Sequence, residues 1–125
     1  MTAASTHLSN DQRFSLADIE DLATAALERW GVRNSPPQLL KHRENTVYRV
    51  EDTSGNPAVL RVHRPGYHDE TAILSELLWM TQLSSNGMDL PRPIPAEDGR
   101  LLVSVGTDHG TDKRYVDMLS WVTGD

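Results

Sequence analysis

Arg61 and Glu76 are the residues whose types and spacing could together handle a phosphate. In Ala58 to His63 side chains alternate as on a strand, so Arg61 shares a face with Val59 and His63 while Ala58, Leu60 and Val62 take the other. Further on, Ile73, Leu77, Met80 and Leu83 recur at helical spacing, and Glu76 falls inside their stripe. A carboxylate is costly to bury alone, so either Glu76 leans out to the helix edge or a cation meets it. Arg61 is the candidate cation, and a strand cation held by a helix carboxylate is a device for presenting positive charge to phosphate oxygens. The bland arrangement, a rim glutamate and a solvated strand arginine, is equally compatible with the spacing.

Other combinations say less. His63, His68 and Glu70 can be drawn as metal ligands, but their spacing fits no helix face and Pro65-Gly66 interrupts them, so they read as surface residues. Arg61, His63 and Arg64 form a small basic cluster that reads as a solvated strand end. Trp79 and Trp121 read as core anchors. The sequence contains no phosphate-loop motif, dinucleotide glycine fingerprint or nucleophile elbow.

Composition narrows the field. With no cysteine, disulfides, thiolate metal sites and a cysteine nucleophile are excluded. A formal charge of -6 argues against nucleic acid as a partner, since that surface must be basic to displace counterions. The polar start and the lack of any apolar run near the roughly 20 residues needed to cross a bilayer argue against a membrane, and a cytoplasmic location is expected.

The elements that must position Arg61 and Glu76 follow from punctuation and period. At 125 residues the chain has the length of one domain. Residues 1–14 read as a loose lead-in and 15–125 as the folded unit. Ser15 with Asp18 forms a capping box for an amphipathic helix through Leu16, Ile19, Leu22, Ala23, Ala26, Leu27 and Trp30, with Gly31 as its stop. After Pro36-Pro37, strands are expected over Gln38 to His42, Thr46 to Val50 and Ala58 to His63, the last two joined by the turn at Asp52 to Pro57. A helix over Asp69 to Leu83, ended by Asn86-Gly87, is followed by an extended connection through Pro91, Pro93 and Pro95. Strands at Leu101 to Val105 and Tyr115 to Val122 flank a polar loop at Gly106 to Lys113. This is an α+β layout: a five-stranded antiparallel sheet with a helix packed on it, preceded by an N-terminal helix.

Four segments in this order, Glu44-Asn45-Thr46-Val47-Tyr48-Arg49-Val50, Val59-Leu60-Arg61-Val62-His63-Arg64-Pro65-Gly66, Ser75-Glu76-Leu77-Leu78-Trp79 and Ser120-Trp121-Val122-Thr123-Gly124, resemble the N-terminal lobe of the aminoglycoside phosphotransferase and choline kinase-like family. The likeness runs over about residues 16 to 125. It implies that Asn45 and Thr46 offer backbone N–H groups to the phosphates of ATP and that Val59 lines the adenine slot. Arg61 stands where the family usually has a phosphate-binding lysine, with Glu76 as its helix partner. Leu119 is implied at the back of the pocket, and the Ser120 C=O and Val122 N–H at the adenine edge. Two departures are visible. The loop at Arg43 to Thr46 has no glycine to allow close backbone approach, and arginine in place of lysine adds a planar, two-pronged donor.

The resemblance implies a lobe that binds ATP for transfer of its γ-phosphoryl group to a hydroxyl of a small molecule. The family's catalytic Asp, the Asn and the second Asp that hold Mg²⁺ are expected beyond Gly124, in a C-terminal lobe outside this sequence, leaving this stretch inactive alone. The alternative is a non-catalytic module that binds a protein partner through the hinge-side face that a second lobe otherwise covers.

Overall fold

The computed structural model describes residues 15–66, 69–106 and 113–122; the expected lead-in, most of the polar loop, His68 and Thr123 to Asp125 lie outside them. Helix α1 spans Leu16–Leu27. Ser15 Oγ accepts the Asp18 N–H at 3.2 Å, and the Asp18 carboxylate accepts the Ser15 N–H at 2.9 Å. This reciprocal box satisfies two donors that a helix start otherwise leaves open. A 3-10 turn, Glu28–Trp30, ends at Gly31 with φ 77°, a left-handed conformation in which any Cβ is strained.

Five strands follow: β1 Gln38–His42, β2 Asn45–Glu51, β3 Pro57–His63, β4 Val103–Gly106 and β5 Lys113–Ser120, with helix α2, Glu70–Ser85, between β3 and β4. All pairings are antiparallel and the order is β1-β2-β3-β5-β4. The expected α+β architecture is the one observed, with element ends shifted by a few residues. Beyond Val116, β5 loses β4 as a neighbour and gains the proline-rich connection instead. Ile94 N–H donates to Met118 C=O and Ser120 N–H to Arg92 C=O, both at 2.8 Å, and Ser120 Oγ accepts the Arg92 N–H at 2.8 Å. The non-proline residues of that stretch carry the donors while Pro93 needs none.

The two faces of the sheet have different fates. Tyr48, Val50, Ala58, Leu60, Val62, Val103, Val116 and Met118 project to one side and pack against Ile19, Leu22, Ala23, Ala26, Leu27 and Trp30. The period-2 and period-3.6 patterns meet there and close the main core. Trp30 is tied in by its indole N–H, which donates to Ile94 C=O at 2.7 Å. On the other side, α2 contributes only Ile73 and Leu77 as buried residues, packed with Leu102 and Leu119. Val47, His63 and Asp117 on that face are buried as well.

Tyr48 sits in the main core at 1% exposure, and its hydroxyl has no hydrogen-bond partner among the described residues. Burial, helped by the charge of Glu20, pushes its pKa up to about 12 from 10.0. Below pH 10 both folded and unfolded chains keep the proton, so nothing is lost. Between about pH 10 and 12 the unfolded chain releases it and the folded chain does not, so stability falls by about 3 kcal/mol across that window. Tyr48→Phe removes this alkaline step and leaves stability at pH 7 within about 1 kcal/mol of the parent, because the lost hydroxyl bonds nothing here. Urea midpoints at pH 7, 10 and 12 for the two proteins measure it; parallel declines would refute it.

Candidate functional site

The half-covered face is organised in cross-strand rows. Because directly paired antiparallel residues point to the same side, register places Arg49, Val59 and Leu119 in one row, Val47, Arg61 and Asp117 in the next, and Asn45 and His63 in a third. The first row lies toward the end of β5. There Trp121 is 36% exposed, and the Arg49 guanidinium sits 5.6 Å from its ring centroid, a cation–π distance. The third row lies toward the Arg43-Glu44 tip joining β1 to β2. The first row thus sets the apolar Val59 and Leu119 beside Arg49, the second sets Arg61 between Val47 and Asp117, and the third is polar.

Arg61 is the centre of this face. Its Nε donates to Asp117 Oδ1 at 2.8 Å and its Nη2 to Asp117 Oδ2 at 3.0 Å. Asp117 has no solvent exposure, and its Oδ2 also meets His63 Nε2 at 2.6 Å. A carboxylate can only accept, so Nε2 carries the hydrogen in that contact. Burial works against the charge on Arg61, but the hydrogen bond and charge of Asp117, with a smaller share from Glu76, outweigh it and raise its pKa above the ordinary value. The guanidinium is permanently charged, about 13% exposed and held by two parallel bonds.

Glu76 does meet Arg61, as one of the two sequence alternatives had it, but at 3.4 Å to Nη2 and with its side chain 51% exposed. The other alternative, the helix edge, also holds. The stripe containing Glu76 turns out narrower than its spacing implied, since Met80 and Leu83 are half-buried and only Ile73 and Leu77 are fully packed. Exposed pairs of this length contribute roughly 0 to 1 kcal/mol. Glu76→Ala is therefore expected to shift unfolding free energy by less than about 1 kcal/mol in urea titration; a loss of about 3 kcal/mol or more would mean that the pair behaves as a buried one.

The remaining expected residues fall as follows. Val59 is half-buried opposite Leu119, which is 5% exposed and backs the α2 cluster. Asn45 and Thr46 open β2 directly behind the loop tip; Thr46 is buried and its Oγ1 lies 2.7 Å from His42 Nδ1. Ser120 ends β5, clamped by Arg92, and Val122 is exposed just beyond it. Val59, Arg61, Glu76 and Leu119 thus share one face, with Ser120 and Val122 at one end and Asn45 and Thr46 at the other. A cleft of 360 Å³ opens past the third row, lined by His63, Arg64, Asp69, Lys113 and Tyr115 among others; it takes in none of Val59, Arg61 or Leu119.

Three sequence expectations are corrected. His63 is not a surface residue: it is 5% exposed, and its Nδ1 has no partner among the described residues. Trp79 is 63% exposed on the outer side of α2, because the helix buries a narrow stripe and Trp79 lies off it. Trp121 rests on Arg49 at the surface rather than in the core. Sequence reasoning also missed Asp117. The one available signal was its place inside the apolar run Tyr115 to Val122, alternating with Val116 and Met118. Among the described residues no three His, Cys, Asp or Glu side chains come together to hold a metal.

Comparison with known proteins agrees with this fold. The profile of the phosphotransferase enzyme family matches residues 35–124. The structure of the microcompartment-associated aminopropanol kinase superposes with a TM-score of 0.72 at 36% identity, over 83% of this chain and 32% of that one. Amicoumacin kinase, solved with AMP-PNP, Ca²⁺ and Ami, superposes with a TM-score of 0.66 over 99% of this chain and 34% of its own; at 21% identity that likeness concerns the fold. The chain spans about a third of the length of these solved relatives. No curated protein matches it.

Proposed function

The chain belongs to the phosphotransferase enzyme family, and from that premise we propose that residues 15–125 form the nucleotide-binding lobe of a kinase that moves the γ-phosphoryl group of ATP to a hydroxyl of a small molecule. The observation that carries the reading is an adjacency on one face: two apolar side chains, Val59 and Leu119, in a row that Arg49 completes, next to a permanently charged Arg61 that is fixed in place. A nucleoside triphosphate has the same order of chemistry, a flat apolar base followed by anionic phosphates.

In this reading Val59 and Leu119 exclude water from the base, and the Ser120 C=O and Val122 N–H take its edge. Arg61 meets a phosphate oxygen, and the backbone near Asn45 and Thr46 closes over the phosphates. Of the five donors on the Arg61 fork, Nε and Nη2 are engaged by Asp117 and Glu76, while Nη1 has no protein partner among the described residues. Those leftover donors fit an outside anion. Bound MgATP supplies the transferable phosphoryl group and a metal that offsets phosphate charge. The acceptor, the catalytic base and the Mg²⁺ ligands come in this reading from a second lobe, as the threefold greater length of the solved relatives suggests, and the 125 residues alone bind without turning over. The names of the relatives make an amino alcohol or a similarly small hydroxyl compound a reasonable first acceptor to try.

Thermal unfolding with and without millimolar MgATP tests the binding claim. Ligand at about 100 times its dissociation constant stabilises a protein by about 2.7 kcal/mol, which raises the melting temperature by several degrees. No shift would turn the balance toward the non-catalytic module that uses this face for a protein partner.

A further inference from the structure

We propose that Asp117 is the positioning residue for Arg61, so that the reach of the guanidinium toward phosphate is set within the sheet and does not depend on where α2 lies. The proposal rests on the reading of Arg61 as a phosphate-binding group and adds which residue aims it.

The two carboxylates near Arg61 are not equivalent. Asp117 is its direct cross-strand partner, and both of its oxygens are engaged at 2.8 and 3.0 Å. The partner on α2, Glu76, offers one oxygen at 3.4 Å from a half-exposed side chain. Two parallel bonds fix the plane of a guanidinium, and fixing Nε and Nη2 fixes the direction of Nη1 as well. A single long contact to a half-exposed side chain cannot do that. Asp117 is itself held from its other side by His63 Nε2 at 2.6 Å, with no solvent reaching it, so its own rotamer is locked.

Strand pairing also makes Asp117 the more rigid support. β3 and β5 are joined by a hydrogen-bonded ladder through Ala58 to Val62 and Val116 to Ser120, whereas α2 packs through side chains, Ile73 and Leu77 buried and Leu74 and Met80 partly so. A sideways movement of α2 breaks the Glu76 contact while leaving the Arg61 fork aimed as before. The sheet-borne arrangement thus separates gripping of phosphate from helix placement.

The experiment compares dissociation constants for MgATP and for adenosine, measured by calorimetry at fixed ionic strength on the parent protein, Asp117→Asn and Glu76→Gln. Adenosine reports the base slot alone, and the ratio of the two constants reports the phosphate grip. Asp117→Asn is expected to lower the preference for MgATP by at least about tenfold with adenosine binding little changed, in keeping with loss of an oriented charged hydrogen bond. Glu76→Gln is expected to lower it by no more than about threefold, as for an exposed pair. The proposal is overturned if Asp117→Asn retains the parent's preference, if it weakens both ligands alike, or if Glu76→Gln alone causes the tenfold loss. Should Asp117→Asn not fold, Asp117→Glu decides the matter. It keeps the charge but lengthens the arm by one methylene and re-aims the fork, so the preference again falls about tenfold or more, and its retention overturns the proposal. A parent protein that binds adenosine as well as MgATP fails the nucleotide-lobe reading itself, a result distinct from any of these.

Discussion

Arg61→Ala lowers unfolding free energy by about 3 to 5 kcal/mol at neutral pH, because it leaves Asp117 buried without its counter-charge. The size follows from Asp117 rather than from the arginine's own packing. Asp117 has no solvent exposure and two of its three short contacts are to Arg61. The carboxylate then keeps a single protein donor, from His63. Removing both charges is gentler. Arg61→Met combined with Asp117→Leu recovers much of the loss, since apolar pairs of similar volume often replace buried ion pairs at little cost. His63 Nε2 then lacks its acceptor, which holds the recovery short by about 1 to 3 kcal/mol. Urea unfolding of the parent, Arg61→Met, Asp117→Leu and the double variant closes this thermodynamic cycle. An Arg61→Ala loss under about 1 kcal/mol would mean that Asp117 is satisfied without the arginine. Nucleotide affinity is not expected to return in the double variant, because stability and phosphate binding draw on different nitrogens of one side chain.

Leu77→Ala is expected to cost about 2 to 5 kcal/mol, the range for deleting a fully buried leucine. Leu77 is wholly buried and, with Ile73, supplies the fully packed contacts of α2 against Leu102 and Leu119. The helix has a good start, since Asp69 Oδ1 accepts the Ala72 N–H at 2.9 Å, but a cap does not fasten a helix to a sheet. Leu78 and Trp79 do not substitute for it, being 59% and 63% exposed. Hydrogen exchange should show α2 amides losing protection while β3 and β5 amides remain protected, because their ladder and the α1 core are untouched. Uniform loss of protection would show that α2 and the sheet unfold as one unit.

Much of this fold was legible before any coordinates. The Ser15 and Asp18 box, the Gly31 stop, the three strands after Pro36-Pro37 and the helix begun at Asp69 are local features, each decided by neighbours a few residues away. Half of the site was legible too. Alternation placed Val59, Arg61 and His63 on one face and Ala58, Leu60 and Val62 on the other, as the structure has them. The errors share a cause. Spacing and the Pro65-Gly66 break put His63 at the surface and residue type puts the two tryptophans in the core, yet burial depends on which elements lie overhead. His63 is covered beside Asp117, whereas Trp79 sits on the uncovered side of α2.

Period and punctuation in the chain determined which segments become helices and strands and which strand faces are apolar, and left open whether the cation on the third strand meets the helix carboxylate. Only the tertiary structure decided which acid holds that cation. The order β1-β2-β3-β5-β4 inserts the last strand beside the third and brings Asp117 across from Arg61, a pairing between positions 56 residues apart. Side-chain period specifies a face but not a neighbour; the neighbour is chosen by closing the whole sheet over α1, where burying Val62 against Val116 and Leu60 against Met118 carries Arg61 and Asp117 together on the opposite side.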